Sequence, residues 1–311
     1  MGRPTIILVA LLATLSAAAP AGAATRVWAV GDGGVPSRGD DRLAGRVGAW
    51  GIDRLLYLGD VYERGSAREY RRRYAPGWGR FKSITRPTPG NHEWSARAEG
   101  YDRYWGGRAR GARGAHYYSF DIGRWHFVSL NSHEDSSPGS TQLAWLRRDL
   151  ARRRGSCTIA FWHRPRYSAG AYRNEPTNVD LEPFWRVLRG RAVAVLNGHD
   201  HNYQRFKRRR GITQFIVGGG GRRPLHEVDR SDRRLAAADD RTLGALRLDL
   251  RRSRLLYQYR AIDGERLDSG RIRCRAHRPA ASVRARDAER ASAASRIELR
   301  RRARSRQSGA G

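Results

Sequence analysis

Apolar positions in this chain fall into two alternating patterns, short unbroken runs and stripes spaced three to four residues apart. Residues 26–30 are such a run and predict a buried strand, stopped by Gly31. Leu43, Val47 and Trp50 then recur at helical spacing behind Asp40, a residue suited to cap the helix. Residues 55–58 predict the next strand, and strand–helix–strand of this length is the parallel crossover unit. Residues 66–86 predict an irregular helical stretch anchored by Trp78 and Phe81, and residues 85–89 lead into Asn91. Residues 117–122 and 125–131 predict a hairpin around Gly123-Arg124. Ser140 precedes a helix with Leu143, Leu146 and Leu150 on one face. Strands are expected at 158–162, 192–196 and 212–217, with a helix at 181–188 and a glycine run, Gly218 to Gly221, ending the last strand. Residues 245–250 and 255–260 close the sheet, and a short strand near Ile272 follows the Gly264 turn.

Both ends depart from this pattern. Arg3, the apolar stretch 6–15 and Ala21-Gly22-Ala23 read as an export signal over residues 1–24, cleaved after Ala23 or Ala24. From residue 275 the chain turns Ala/Ser/Arg-rich, with eleven arginines against three acids, and a disordered tail is expected over 275–311. Residues 25–274 are left as the catalytic domain.

With 311 residues the chain can bury a large core. Its net charge of +31 invites a nucleic-acid reading, but 59 of the 61 basic residues are arginine and they are spread along the chain. That points to compositional loading, so no specific nucleic-acid partner is expected. Attraction of anionic substrates follows; the tail is read as a solvated passenger, with weak association with an anionic cell envelope as the alternative. Cys157 and Cys274, an even pair in an exported chain, suggest one disulfide.

Five motifs, each at the end of an apolar run, carry the chemistry: Gly31-Asp32-Gly33-Gly34, Gly59-Asp60-Val61-Tyr62, Pro89-Gly90-Asn91-His92-Glu93, Phe161-Trp162-His163-Arg164-Pro165 and Gly198-His199-Asp200-His201-Asn202-Tyr203. In open α/β sheets such loop tips converge where strands end. Two cations about 3.5–4 Å apart need a shared carboxylate to offset their repulsion, and Asp60 is the candidate. Asp32, Asn91, His163, His199 and His201 supply the other oxygen and nitrogen donors. With no cysteine in the set, iron, manganese or zinc is favoured.

Taken together the motifs resemble those of the calcineurin-like metallophosphoesterases, most closely the purple acid phosphatase branch, over residues 26 to 274. The resemblance implies an α/β fold, a four-layer αββα sandwich of two mixed sheets flanked by helices. It implies two metal ions, iron with iron, zinc or manganese. One would be held by Asp32, Asp60, Tyr62 and His201, the other by Asp60, Asn91, His163 and His199. It also gives His92 the role of stabilising the transition state or protonating the leaving group. In the family the tyrosine stands three residues after the aspartate, whereas Tyr62 is two after Asp60. Tyr62 is then either a ligand on a re-routed loop or a neighbour that packs beside the site. Tyr203-Gln204-Arg205 replaces the family's frequent Tyr-Glu-Arg.

These features lead us to expect a secreted, acid-phosphatase-like hydrolase of phosphate monoesters, in which a hydroxide held between two metals attacks phosphorus in line. The alternatives are a phosphodiesterase or nucleotide pyrophosphatase on the same site, or an arginine-rich polyanion-binding protein with a degenerate site. Arg164, Arg166 and Arg173 are candidates to clamp the substrate phosphate, and Tyr167 and Tyr172 to stack on an aromatic leaving group. His116, His126, His133, His226 and His277 lack ligand spacing and are expected to be packed or surface residues.

Overall fold

An apolar run with no polar face needs cover on both sides. In the computed structural model, which describes residues 24–35, 38–96 and 98–274, β1 (Thr25–Val30) sets Val27 and Ala29 against one apolar cluster and Trp28 and Val30 against another. Such two-sided burial removes alternation from a strand's sequence. β1 pairs in parallel with β2 (Arg54–Tyr57) across the helix α1 (Arg38–Ala49), and β2 with β3 (Thr85–Pro87). The one-turn α2 (Ala67–Glu69), α3 (Asn91–Ser95) and α4 (Glu99–Trp105) precede the hairpin β4 (Tyr118–Ile122) and β5 (Trp125–Ser129). Then come α5 (Thr141–Arg152), β6 (Cys157–Phe161), α6 (Glu182–Leu188), β7 (Ala192–Asn197), β8 (Tyr203–Phe206), β9 (Thr213–Val217) and β10 (Leu235–Asp239). The meander β11 (Gly244–Arg251), β12 (Arg254–Ala261) and β13 (Arg266–Arg273) ends the described chain.

These strands make two mixed sheets, ordered β13–β12–β11–β1–β2–β3 and β10–β8–β9–β7–β6–β5–β4. Between them lies a core that includes Leu56, Leu58, Phe127, Phe161, Leu196, Phe215, Leu246 and Leu248. The outer face of the first sheet packs on Leu43, Val47, Trp78 and Tyr101, from α1, the irregular segment and α4. That of the second packs on Leu143, Leu146 and Phe184, from α5 and α6. The result is the four-layer αββα sandwich. Its strands β1, β2, β6 and β7 all end on one edge, which positions the site.

Several local expectations hold. Ser140 caps α5, accepting a hydrogen bond from the Leu143 amide at 3.2 Å. Trp78 and Phe81 are buried. Cys157 and Cys274 are joined by a disulfide with a Cα–Cα distance of 5.7 Å, tying the start of β6 to the end of β13 and so one sheet to the other. Asp40 differs from its expectation. It sits inside the first turn of α1 rather than at its cap, and its buried carboxylate accepts from the Gly34 amide at 3.0 Å and from the Trp78 indole. Burial pushes this carboxyl up to about 8. A raised folded pKa means the folded state keeps the proton that the unfolded chain releases near 4. Asp40 therefore favours folding most below that pH, and this contribution is lost as pH rises toward 8. The melting temperature of the wild type, relative to Asp40→Asn, is expected to fall between pH 4 and 8 and level off above; a constant difference refutes it.

β8, β10, α3 and α4 were not expected from the pattern. β8 is short and carries polar Gln204 and Arg205, and β10 is mostly alanine, so neither shows a strand's apolar signal. The final strand is longer than expected, eight residues with a largely polar face. The export signal before residue 24 and the basic tail lie outside the described residues. Among the described residues no helix is long and apolar enough to cross a membrane.

Candidate metal centre

The five motifs meet at the carboxyl edge of the sandwich. Asp32 follows β1, Asp60 follows β2, Asn91 opens α3, His163 lies just past β6, and His199 and His201 follow β7. Asp32, Asp60 and His199 all adopt left-handed backbone (φ 61°, 67° and 76°), where non-glycine residues are strained by on the order of 1 kcal/mol. Such strain collects where side chains must be aimed rather than merely packed. Gly59 shows how tight the edge is: at φ 97°, a Cβ there would lie 2.7 Å from His163 Nδ1 and 2.8 Å from the Gly90 amide nitrogen.

Asp60 is the hub. Its Oδ2 lies 3.2 Å from His163 Nε2 and accepts from the Tyr62 hydroxyl at 3.1 Å; its Oδ1 accepts the His92 amide at 3.1 Å. Burial opposes ionisation of Asp60, but the neighbouring His163 holds its carboxyl well below the usual range. Glu93, from the same motif as Asn91, braces the turn from behind. Its buried carboxylate accepts the amides of Asp60 (3.0 Å), Val61 (2.7 Å) and Gly90 (2.7 Å), and burial pushes it up to about 7.

The imidazoles are aimed by their outer nitrogens. His163 Nδ1 donates to the Leu58 carbonyl at 2.7 Å, which turns Nε2 inward. His199 Nε2 meets Glu175 Oε2 at 3.2 Å, which turns Nδ1 inward. The inward nitrogens stand 3.2 Å apart, and Asn91 Oδ1 is 3.1 Å from one and 3.0 Å from the other. Outer partners that fix a histidine tautomer in this way are typical of metal ligands. The ligand atoms of Asp60, His163 and His199 all fall within 4.8 Å of one another.

On the other side, the Tyr62 hydroxyl lies 3.0 Å from Asp32 Oδ1 and 2.8 Å from His201 Nε2. Despite its shortened spacing from Asp60, the Tyr62 hydroxyl thus lies beside Asp32, Asp60 and His201. Asp32 is buried, and its Oδ2 accepts the His199 amide at 2.9 Å. Burial pushes its carboxyl well above the usual range, and pushes His201 down to about 3. His163 goes the other way, up to about 9, because Asp60 outweighs its burial. Two carboxylates, an amide oxygen and three imidazoles thus crowd one buried region. That excess of electron-pair donors fits cations, and the all-oxygen and nitrogen set fits the harder transition metals.

His92 stands at the rim. Its Nδ1 contacts the Glu63 carbonyl and its Nε2 lies 3.8 Å from Asp60 Oδ2. The cluster opens into a cavity of about 260 Å³, whose lining adds Tyr172, Arg222, Arg223 and His226. Tyr172 stacks on His199 at 4.0 Å, and His226 stacks on His201 at 4.0 Å. The three arginines proposed as phosphate clamps are elsewhere. Arg164 bonds to Thr177 Oγ1 at 2.7 Å, Arg166 pairs with Glu182 at 3.1 Å, and Arg173 donates to the Gly170 carbonyl at 3.4 Å. Arg222 and Arg223 take that position, with Arg222 over the Tyr62 ring at 4.6 Å. They lie in a loop with no spacing signal, as do Glu175 and His226. Tyr167 packs under Trp185, away from the cavity. The glycine run lies against the site: a Cβ on Gly218 would collide with the Asp200 carbonyl and lie 2.9 Å from Asp32 Oδ2. Gln204 is a neutral brace, accepting the Ala169 amide at 2.8 Å and donating to Asn202 at 2.9 Å.

Residues 25–203 match the model of the calcineurin-like phosphoesterases, and the chain belongs to that family of phosphoric ester hydrolases. Within it, the similarity is to purple acid phosphatases. Probable purple acid phosphatase 20 of Arabidopsis thaliana is 28% identical over 206 residues, covering 56% of this chain and 47% of that protein. Purple acid phosphatase 15 of the same plant is 30% identical over 179 residues, covering 50% and 34%. The chain thus spans at most about half the length of these relatives. Purple acid phosphatase PPD1 from yellow lupin (Lupinus luteus) seeds shares the fold, with a TM-score of 0.66 at 21% identity over 80% of this chain and 54% of that one.

Proposed function

We propose that this chain is a metal-dependent phosphomonoesterase that works outside the cytoplasm. The observation that carries the reading is the convergence of Asp60, His163 and His199 on one point, with Asp60 and His199 lining an open cavity. On this reading Asp32, Asp60, Tyr62 and His201 hold one ion, and Asp60, Asn91, His163 and His199 a second. Iron with iron, zinc or manganese suits these donors. Such ions supply a water that is nucleophilic near neutral pH and neutralise charge on the phosphoryl oxygens.

The chain's own residues do the remainder. Arg222 and Arg223 place positive charge at the mouth and draw the phosphate dianion inward. Arg222 is partly neutralised by Glu63, whereas the Arg223 side chain has no ion pair among the described residues. His92 is held by the Glu63 carbonyl at Nδ1, so its other nitrogen faces the cavity. In its protonated form it delivers that proton to the leaving oxygen and keeps the Nδ1 hydrogen on Glu63. The disulfide and the export signal expected over residues 1–24 support an oxidising compartment.

The metal-loaded protein should hydrolyse an aryl phosphate monoester faster than the matching diester and lose both activities on chelation. Faster diester turnover would move the assignment to phosphodiesterase. His92→Ala is expected to lower turnover about 10²–10⁴-fold without lowering metal content. Unchanged turnover would remove His92 from the mechanism.

A further inference from the structure

Many arginines on this chain are answered by acids: Arg205 by Asp268, Arg230 by Asp240, Arg234 by Asp232. Others are not, and several of these gather around one cavity. A cavity of about 360 Å³ opens at the amino ends of β6 and β7, beside the Cys157–Cys274 bridge. Arg153, Arg154, Arg191, Arg208 and Arg273 line it, and no acidic side chain does. Arg153 is paired with Asp121 at 2.9 Å, and Arg208 donates to the Gly211 carbonyl at 3.0 Å. Arg154, Arg191 and Arg273 have no ion pair among the described residues, and Nη1 of Arg191 is buried without a hydrogen-bond partner. A buried donor left unpaired costs about 1–3 kcal/mol, more when charged. Like charges gathered around one space also repel. The carboxyl end of α5 brings only about half a negative charge, too little to balance four guanidinium groups that lack an acid. An anion with several charged oxygens would relieve both penalties, because guanidinium forks match phosphate and sulfate oxygens two at a time.

We infer that this cavity is a second anion site, for a compact polyanion bearing several phosphate or sulfate groups. It is separate from the metal centre. The centre lies at the carboxyl ends of the same two strands, and five residues of β6 at about 3.3 Å each keep the two places roughly 17 Å apart. The inference does not depend on the phosphatase reading.

Calorimetric titration of the metal-loaded full chain with inositol hexakissulfate tests it, since sulfate esters present the charge without a phosphoryl group to hydrolyse. The wild type is compared with the double variant Arg191→Gln/Arg273→Gln and with Arg103→Gln, a change at an exposed arginine of α4. Affinity is expected to fall at least about tenfold in the double variant and to stay unchanged in Arg103→Gln. Aryl phosphate turnover should be unchanged in both, which also reports an intact fold. No binding by the wild type, or equal affinity in the double variant, overturns the site. If binding and turnover fall together in the double variant, the anion sits at the metal centre and the inference fails.

Discussion

Asp60→Asn is expected to yield a folded protein that holds less than about one metal ion per chain and hydrolyses phosphate monoesters at least about 10³-fold more slowly. The substitution keeps the shape of the side chain and removes its charge, so packing behind Gly59 and Gly90 is preserved. What is lost is the one carboxylate that reaches both halves of the cluster. Asp60 Oδ2 lies within 3.2 Å of both His163 Nε2 and the Tyr62 hydroxyl, whereas Asp32 meets the His163 side at the backbone amide of His199. Asp32 cannot replace it, being engaged with Tyr62 and the His199 amide. Elemental analysis and an activity assay on the same preparation check this. Full metal content with normal turnover would remove Asp60 from the centre.

The second large effect concerns stability. Cys157→Ser/Cys274→Ser is expected to lower unfolding free energy by roughly 3–5 kcal/mol and the melting temperature by about 10 °C. The bridge closes a loop with a sequence separation of 117, long enough for the unfolded chain to lose much freedom when it is in place. It also joins the two sheets at the edge opposite the candidate site. Denaturant unfolding without reductant, wild type against double variant, measures it. Coincident midpoints would show that the bridge adds nothing to the folded state's advantage.

Much of the site was legible before the fold because its residues sit at strand ends, where short apolar runs stop abruptly. Asp32, Asp60, Asn91, His163, His199 and His201 each follow such a stop, and strand ends of parallel sheets gather on one edge. The fold was legible for the same reason: β1, β2, β6, β7 and β9 are buried runs flanked by glycine or polar residues. What escaped lies in loops whose shape no period encodes. Arg222, Arg223 and His226 reach the cavity, and Glu175 reaches His199, through turns, and in a chain so rich in arginine the residue type carries no signal. Arg164 sits next to His163 in sequence, yet its side chain turns aside to Thr177. Glu93 was in plain view in its motif, but its task of receiving three amides depends on where the Asp60 turn folds back.

The order of the first sheet bears on how the chain can be cut. Residues 25–203 carry the family match, but β1 sits between β2 and β11, a strand that begins at Gly244. A fragment ending near 203 would expose one flank of β1, a bare ladder of amides and carbonyls between two apolar faces. Such an edge recruits other chains. The last three strands therefore act as a guard against self-association, and a minimal fragment has to retain them even though every candidate metal ligand lies upstream.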